Sequence, residues 1–316
     1  MLILIFLALA AAAVLLVSLY CYRICFFSPK KARRQPLDPV DDPQFQAAED
    51  TLRRVISIME RYPYEDVAIR AKDGISLRGR YYHFQDDAPL LILCHGYRSA
   101  ALRDCCGGHA LAQKLGFNAL VIHQRAHGES EGHTITFGIK ESNDVVRWAK
   151  YAKIRFGAEV PVILFGLSMG AATVLMGCSE GYPSNVKGII ADSPYSSPAD
   201  IIKKVCREQR YPTILYPFAK LGARIFGRFA LESRSALDSV RDTRIPILLI
   251  HGEDDRLVPC GMSREIAENS LGPCRIFTVP GAGHGLGCMV DPEGYEQTIR
   301  RFLASIPIPV NVRKNK

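Results

Sequence analysis

At 316 residues, 48% hydrophobic and 23% charged, the chain has a globular composition, which excludes bulk disorder. One doubly wound α/β unit commonly takes roughly 200–250 residues, so the length fits one such domain plus a tail. The formal net charge of +8 points to nucleic acid or an anionic membrane surface, but no nucleic-acid motif and no basic–aromatic interleaving accompanies it, so nucleic acid is set aside as a partner.

The first 22 residues carry no charged side chain. About 20 apolar residues span a bilayer core. Tyr20 and Tyr22 fall where an interfacial aromatic belt is expected. A cleaved signal peptide would need a basic start, a shorter apolar core and a small-residue cleavage site. Here no basic residue precedes the apolar run, and the alanine patch at 8–13 comes too early. Residues 1–27 are therefore expected to form an uncleaved transmembrane anchor. Arg23, Lys30, Lys31, Arg33 and Arg34 all lie on the C-terminal side of the uncharged run, which predicts that the rest of the chain is cytoplasmic. An anionic inner leaflet would attract these same residues. Residues 28–46 read as a basic juxtamembrane linker, rich in Pro and Asp from 36 to 43. The ten cysteines show no C-x-x-C spacing and suit mostly free thiols in a reducing compartment.

From residue 47 to 307 the chain alternates strands and helices. Eight strands are predicted at 67–71, 76–83, 90–94, 119–123, 162–165, 187–191, 247–250 and 275–279. The middle ones are short continuous apolar runs, as in strands covered on both faces. The first two alternate and carry charge, as in an opening hairpin. Between strands, Val145, Trp148, Ala149 and Ala152 form an apolar stripe at helical spacing. Such alternation implies a mainly parallel sheet with helices on both faces. Residues 197–244 interrupt the rhythm with an apolar and basic helical stretch, read as a lid. A basic tail, 308–316, ends the chain. No feature specifies an oligomeric state.

The chemistry is carried by Gly166-Leu167-Ser168-Met169-Gly170, directly after a predicted strand and before a helical run. That context makes a nucleophile elbow: a strained turn exposes the Ser168 hydroxyl, and the glycines avoid collisions with strand and helix. Serine needs a base. His284, among small residues on a loop after the last strand, is the candidate. An acid must hold the imidazole. Glu253, Asp254 and Asp255 follow the strand at 247–250, with Asp255 preferred and propensity unable to separate them. Asp192 is a second choice, more in keeping with a loop or capping group. The oxyanion donors would be the amides of Met169, at a helix start, and Tyr97, after the strand at 90–94. His95 and His251 read as structural. His123, His127 and His133 lack metal-ligand spacing, so no metal is expected, and no cofactor is required.

His95-Gly96-Tyr97, the 166–170 motif, His251-Gly252-Glu253-Asp254-Asp255 with Val258-Pro259, and Gly283-His284 together resemble the α/β-hydrolase superfamily. The likeness is strongest to its small serine esterase and acyl-hydrolase branch and covers about residues 67 to 306. The resemblance implies that the acid is Asp255. Gln124-Arg125-Ala126-His127-Gly128 is similar to the family's Arg-Gly-His-Gly segment, with Ala126 at the usual glycine. The expectation is a membrane-anchored hydrolase cleaving an ester or thioester, with a small-molecule or lipid-like substrate. A serine peptidase or amidase, an acyltransferase, and a catalytically inactive membrane-tethered interaction module are the rivals.

Overall fold

The computed structural model describes residues 1–40, 43–208, 212 and 214–308. Nearly all of the basic tail expected at 308–316 lies outside them. The helices are α1 (Leu2–Cys25), α2 (Pro43–Ala47), α3 (Glu49–Arg61), α4 (Ala101–Leu115), α5 (Ile139–Phe156), α6 (Met169–Met176), α7 (Pro198–Glu208), α8 (Leu215–Ile225), α9 (Ala236–Ser239), α10 (Cys260–Asn269), α11 (Gly287–Val290) and α12 (Pro292–Ala304). The strands are β1 (Glu65–Arg70), β2 (Ser76–Tyr82), β3 (Leu90–Cys94), β4 (Asn118–Ile122), β5 (Val162–Leu167), β6 (Val186–Asp192), β7 (Ile247–Gly252) and β8 (Cys274–Val279). All eight predicted strands are present, each end within two residues of its expected place.

They form one sheet in the order β1-β2-β4-β3-β5-β6-β7-β8. β1 pairs antiparallel with β2, and β2 antiparallel with β4; every other pairing is parallel. The charged, alternating first strands thus form the antiparallel hairpin, and the apolar runs form the doubly covered parallel part. Along β3, Leu90, Ile92 and Cys94 enter one core cluster, while Leu91 and Leu93 enter the other. α5, α6 and α10 cover the first face; α3, α4 and α12 cover the second. The stripe on α5 points inward, with Val145, Trp148 and Ala149 fully buried.

Strand order reverses at β3, so β3 lies between β4 and β5. In open α/β sheets, ligands bind beyond the carboxyl ends of strands at such a switch point. Four successive connections leave those ends through a non-glycine residue with positive φ: Arg98 (48°), Ala126 (61°), Ser168 (56°) and Ser193 (54°). Sharp turns of this kind hold loops close above the sheet. Ala126 occupies a left-handed position, which accounts for glycine there in the family.

α1 is long and apolar enough to cross a membrane. Residues 1–16 are exposed throughout, but the final turns are not free: Ser18, Cys21, Tyr22 and Phe26 are buried against the domain. Residues 28–34, expected to be a linker, also dock. Ser28 Oγ donates to the Ala126 carbonyl, and the Arg33 guanidinium donates to the carbonyls of Gly128, Ser130 and Gly132.

Candidate active site

β5 delivers Ser168 to the apex of a tight turn and α6 leads away from it. The turn is possible only because its neighbours are glycine. A Cβ on Gly166 would stand 2.2 Å from the Gly170 carbonyl oxygen, and one on Gly170 would stand 2.2 Å from the Cys94 carbonyl oxygen. Ser168 itself adopts φ 56°, ψ −117°, strained for a residue with a side chain.

β7 and β8 supply the other two candidates. His284 Nδ1 donates to Asp255 Oδ2 at 2.7 Å. The Asp255 side chain is fully buried and that of His284 is 15% exposed. Asp255 Oδ1 accepts from the Leu257 and Val258 amides at 2.9 and 2.8 Å. Burial opposes charge on Asp255, but hydrogen bonds from His251 and His284, with the Val258 amide, hold it well below the usual carboxylate range. An ionised carboxylate only accepts, so His284 carries its proton on Nδ1 and presents a lone pair at Nε2. Asp254 and Glu253 make no such bond; Glu253 Oε1 instead accepts from Thr278. Asp192 is also held elsewhere, by the hydroxyls of Tyr295 and Ser193 at 2.8 and 3.0 Å.

The His284 loop folds back over the elbow. The Gly285 amide donates to Ser193 Oγ at 3.2 Å, and a Cβ on Gly285 would stand 2.9 Å from Leu167 Cδ1. No hydrogen bond joins His284 Nε2 to Ser168 Oγ among the described residues. His251, expected to be structural, is fully buried beneath the pair. Its Nε2 donates to the Val258 carbonyl at 2.8 Å and lies 3.2 Å from Asp255 Oδ2, while Nδ1 accepts from Ser263.

The loop after β3 faces the serine: a Cβ on Gly96 would stand 3.4 Å from Ser168 Cβ. The Gly96 amide is taken by Asp104 Oδ2 at 2.7 Å, and the Arg98 amide by His127 Nε2 at 2.9 Å. Between them the Tyr97 amide has no acceptor among the described residues. Met169, at the first position of α6, has no intrahelical acceptor for its amide either. His95 and His127 act as acceptors within this scaffold, and burial pushes both imidazoles down.

Above Ser168 lies an apolar cavity of ≈ 340 Å³. Ile201, Val205 and Ala219 line it from α7 and α8, and Cys21, Ile24 and Cys25 from α1.

A family model described as serine aminopeptidase S33 matches residues 85–241. The esterase Pf2001 of Pyrococcus furiosus superposes with a TM-score of 0.62 at 26% identity, covering 80% of this chain and 94% of that one. The chain belongs to the α/β-hydrolase superfamily. Among curated relatives of this hydrolase, the uncharacterized protein YqkD of Bacillus subtilis is 25% identical over 232 residues, 73% of this chain and 76% of that protein. The lysophosphatidylserine lipase ABHD12 of Danio rerio is 26% identical over 201 residues, 58% of this chain and 47% of that protein. These likenesses make it a hydrolase of the esterase and lipase kind.

Sequence reasoning missed the contribution of α1 to the hydrolase's pocket. The signal was present: Ser18, Cys21 and Tyr22 interrupt an otherwise uniform apolar helix at the spacing of one face. It also missed Phe137 and Tyr195, which line the same cavity from separate loops.

Proposed function

We propose that the protein is a membrane-anchored serine hydrolase that cleaves a carboxylic ester or thioester through an acyl-enzyme on Ser168, with Asp255 and His284 completing a triad. The observation that carries this is the 2.7 Å bond from His284 to a buried, ionised Asp255, on a loop seated against a strained Ser168. His284 Nε2 takes the Ser168 proton as Oγ bonds to the substrate carbonyl carbon. Apo sites commonly leave this serine–histidine contact open until substrate binds. The carbonyl oxygen takes up negative charge and is held by the Tyr97 and Met169 amides. The imidazolium returns its proton to the departing alcohol or thiol, leaving the acyl group on Oγ. Water then enters, gives a proton to His284 and bonds to the acyl carbon. Ser168 leaves with that proton and the carboxylic acid is released. No cofactor takes part.

The apolar cavity and the lipase named among the relatives support a hydrophobic, lipid-like ester. A peptidase is the second reading, favoured by the description of the matched family model. The helical insertion at 197–244 serves as the lid, and residues 1–27 as a single-pass anchor with the catalytic domain in the cytoplasm.

A fluorophosphonate should label the wild type, and Ser168→Ala should abolish labelling and lower kcat by about 10⁴ or more. Unlabelled wild type refutes the hydrolase. Esters of increasing chain length assayed beside peptide amides should show ester cleavage dominating; dominant amide cleavage selects the peptidase. Protease added outside intact cells should spare the catalytic domain, and digestion there refutes the orientation.

A further inference from the structure

The anchor does more than tether. Its 24 residues make a helix about 36 Å long, and about 20 residues suffice for a hydrocarbon core of about 30 Å. From Ser18 onward one face packs on α8. A Cβ on Gly222 would stand 2.3 Å from the Ser18 carbonyl oxygen, so the two backbones touch. Tyr22 bonds to Thr134 Oγ1 at 2.7 Å, and Phe26 sits edge-on to Phe137 and Phe229 at 5.7 and 5.2 Å.

The C-terminal carbonyls of α1, which a helix end leaves without internal partners, are capped by the loop after β3. Tyr97 Oη donates to the Cys25 carbonyl at 2.8 Å, and Arg98 Nη2 to that of Ile24 at 2.7 Å and to that of Phe27, two residues past the helix, at 3.1 Å. A guanidinium at a helix C-terminus is also favoured by the helix dipole. The loop carrying the candidate Tyr97 oxyanion donor is therefore bolted to the anchor.

If residues 2–21 fill the hydrocarbon core, then Tyr20, Cys21, Ile24 and Cys25 stand at its boundary. Those four residues line the cavity above Ser168. The ester groups of bilayer lipids lie at that depth. Large apolar side chains are exposed around the same opening: Tyr20, Ile24 and Leu257 on its rim and Ile214 beside it. Such a patch suits contact with lipid rather than water.

We propose that the last turns of the membrane helix form one wall of the acyl-binding pocket, and that the substrates are lipid esters taken from the bilayer with one acyl chain lying along Cys21, Ile24 and Cys25. The inference rests on the serine-hydrolase reading and deepens it by naming the bilayer as the source of the lipid ester and the anchor helix as an unexpected specificity element. A bulky residue at 24 shortens the pocket, and an alanine there lengthens it. Each methylene accommodated is worth about fourfold in kcat/KM.

The test uses the full chain in detergent micelles with p-nitrophenyl esters from acetate to dodecanoate, and fluorophosphonate labelling of every variant. Ile24→Trp should lower the dodecanoate-to-acetate ratio of kcat/KM at least tenfold. Ile24→Ala should move the preferred chain length upward. Leu9→Trp, on the exposed part of the same helix, should leave the ratio at the wild-type value. Labelled protein with an unchanged chain-length profile in both Ile24 variants overturns the inference alone. Wild type that fails to label overturns the hydrolase reading and the inference with it. Should Ile24→Trp not fold, Ile24→Ala by itself decides through the position of the optimum.

Discussion

Asp255 holds together several contacts at once: an imidazole, two backbone amides and the neighbouring His251. Its carboxyl is held below the usual range, so its contribution to stability is complete above the unfolded value near 3.9 and is lost as pH falls through the native one. Urea unfolding between pH 3 and 6 should therefore show stability falling with acid below about pH 4, and Asp255→Asn should flatten that fall. The same variant offers His284 an amide in place of an acceptor-only group, favouring the wrong tautomer. It should lower kcat by about 10³–10⁴. A pH–stability curve identical to the wild type's would remove Asp255 from this role. The residue shows what one sequence conveys at this scale. Ser168 was legible because an elbow imposes a local demand on five adjacent positions. Propensity cannot separate three consecutive acids; the family resemblance selects Asp255, and the structure places that residue, 29 positions before His284, in contact with its imidazole.

At the scale of elements, the sheet was legible because burial on both faces writes itself as continuous apolar runs. The close contacts between elements were less so, since they depend on partners far apart in sequence. Gly170 is one such contact, where α6 crosses the end of β3. Gly170→Ala places a methyl 2.2 Å from the Cys94 carbonyl oxygen and 2.7 Å from that of His95, backbone atoms that cannot rotate away. It should cost about 3 kcal/mol and remove fluorophosphonate labelling, because the elbow must open to admit it. Gly261→Ala is the control: it lies in α10 with nothing among the described residues within 4 Å of the added carbon. It should be neutral or stabilising by less than about 1 kcal/mol. Equal unfolding midpoints for the two alanine variants would contradict the packing account of the motif. The docking of α1 on α8 is the counterpart that sequence reading missed, because uniform apolarity along residues 1–17 outweighs the few small and polar positions that mark its buried face.

For the whole molecule, the question is where the anchor ends and the domain begins. Hydropathy places the boundary after residue 27, but packing places it near residue 17. Residues 1–16 are exposed throughout, whereas Cys21, Tyr22 and Phe26 are 5%, 7% and 0% exposed within the core. Burying such side chains stabilises by about 1.5–3 kcal/mol for each large one. The two large ones, Tyr22 and Phe26, carry about 3–6 kcal/mol together, a large part of an ordinary domain's total of about 5–15 kcal/mol. A chain starting at Val17 should stay folded, become soluble without detergent and keep its fluorophosphonate labelling. A chain starting at Ser28 uncovers Phe137 and Phe229, leaves the Tyr97 and Arg98 side chains without their α1 carbonyls, and should aggregate or melt far lower in a thermal scan. The two truncations differ by eleven residues, all on one side of the apparent hydropathy boundary. Equal melting temperatures for both would mean that the membrane helix is only a tether, with no share in the core it adjoins.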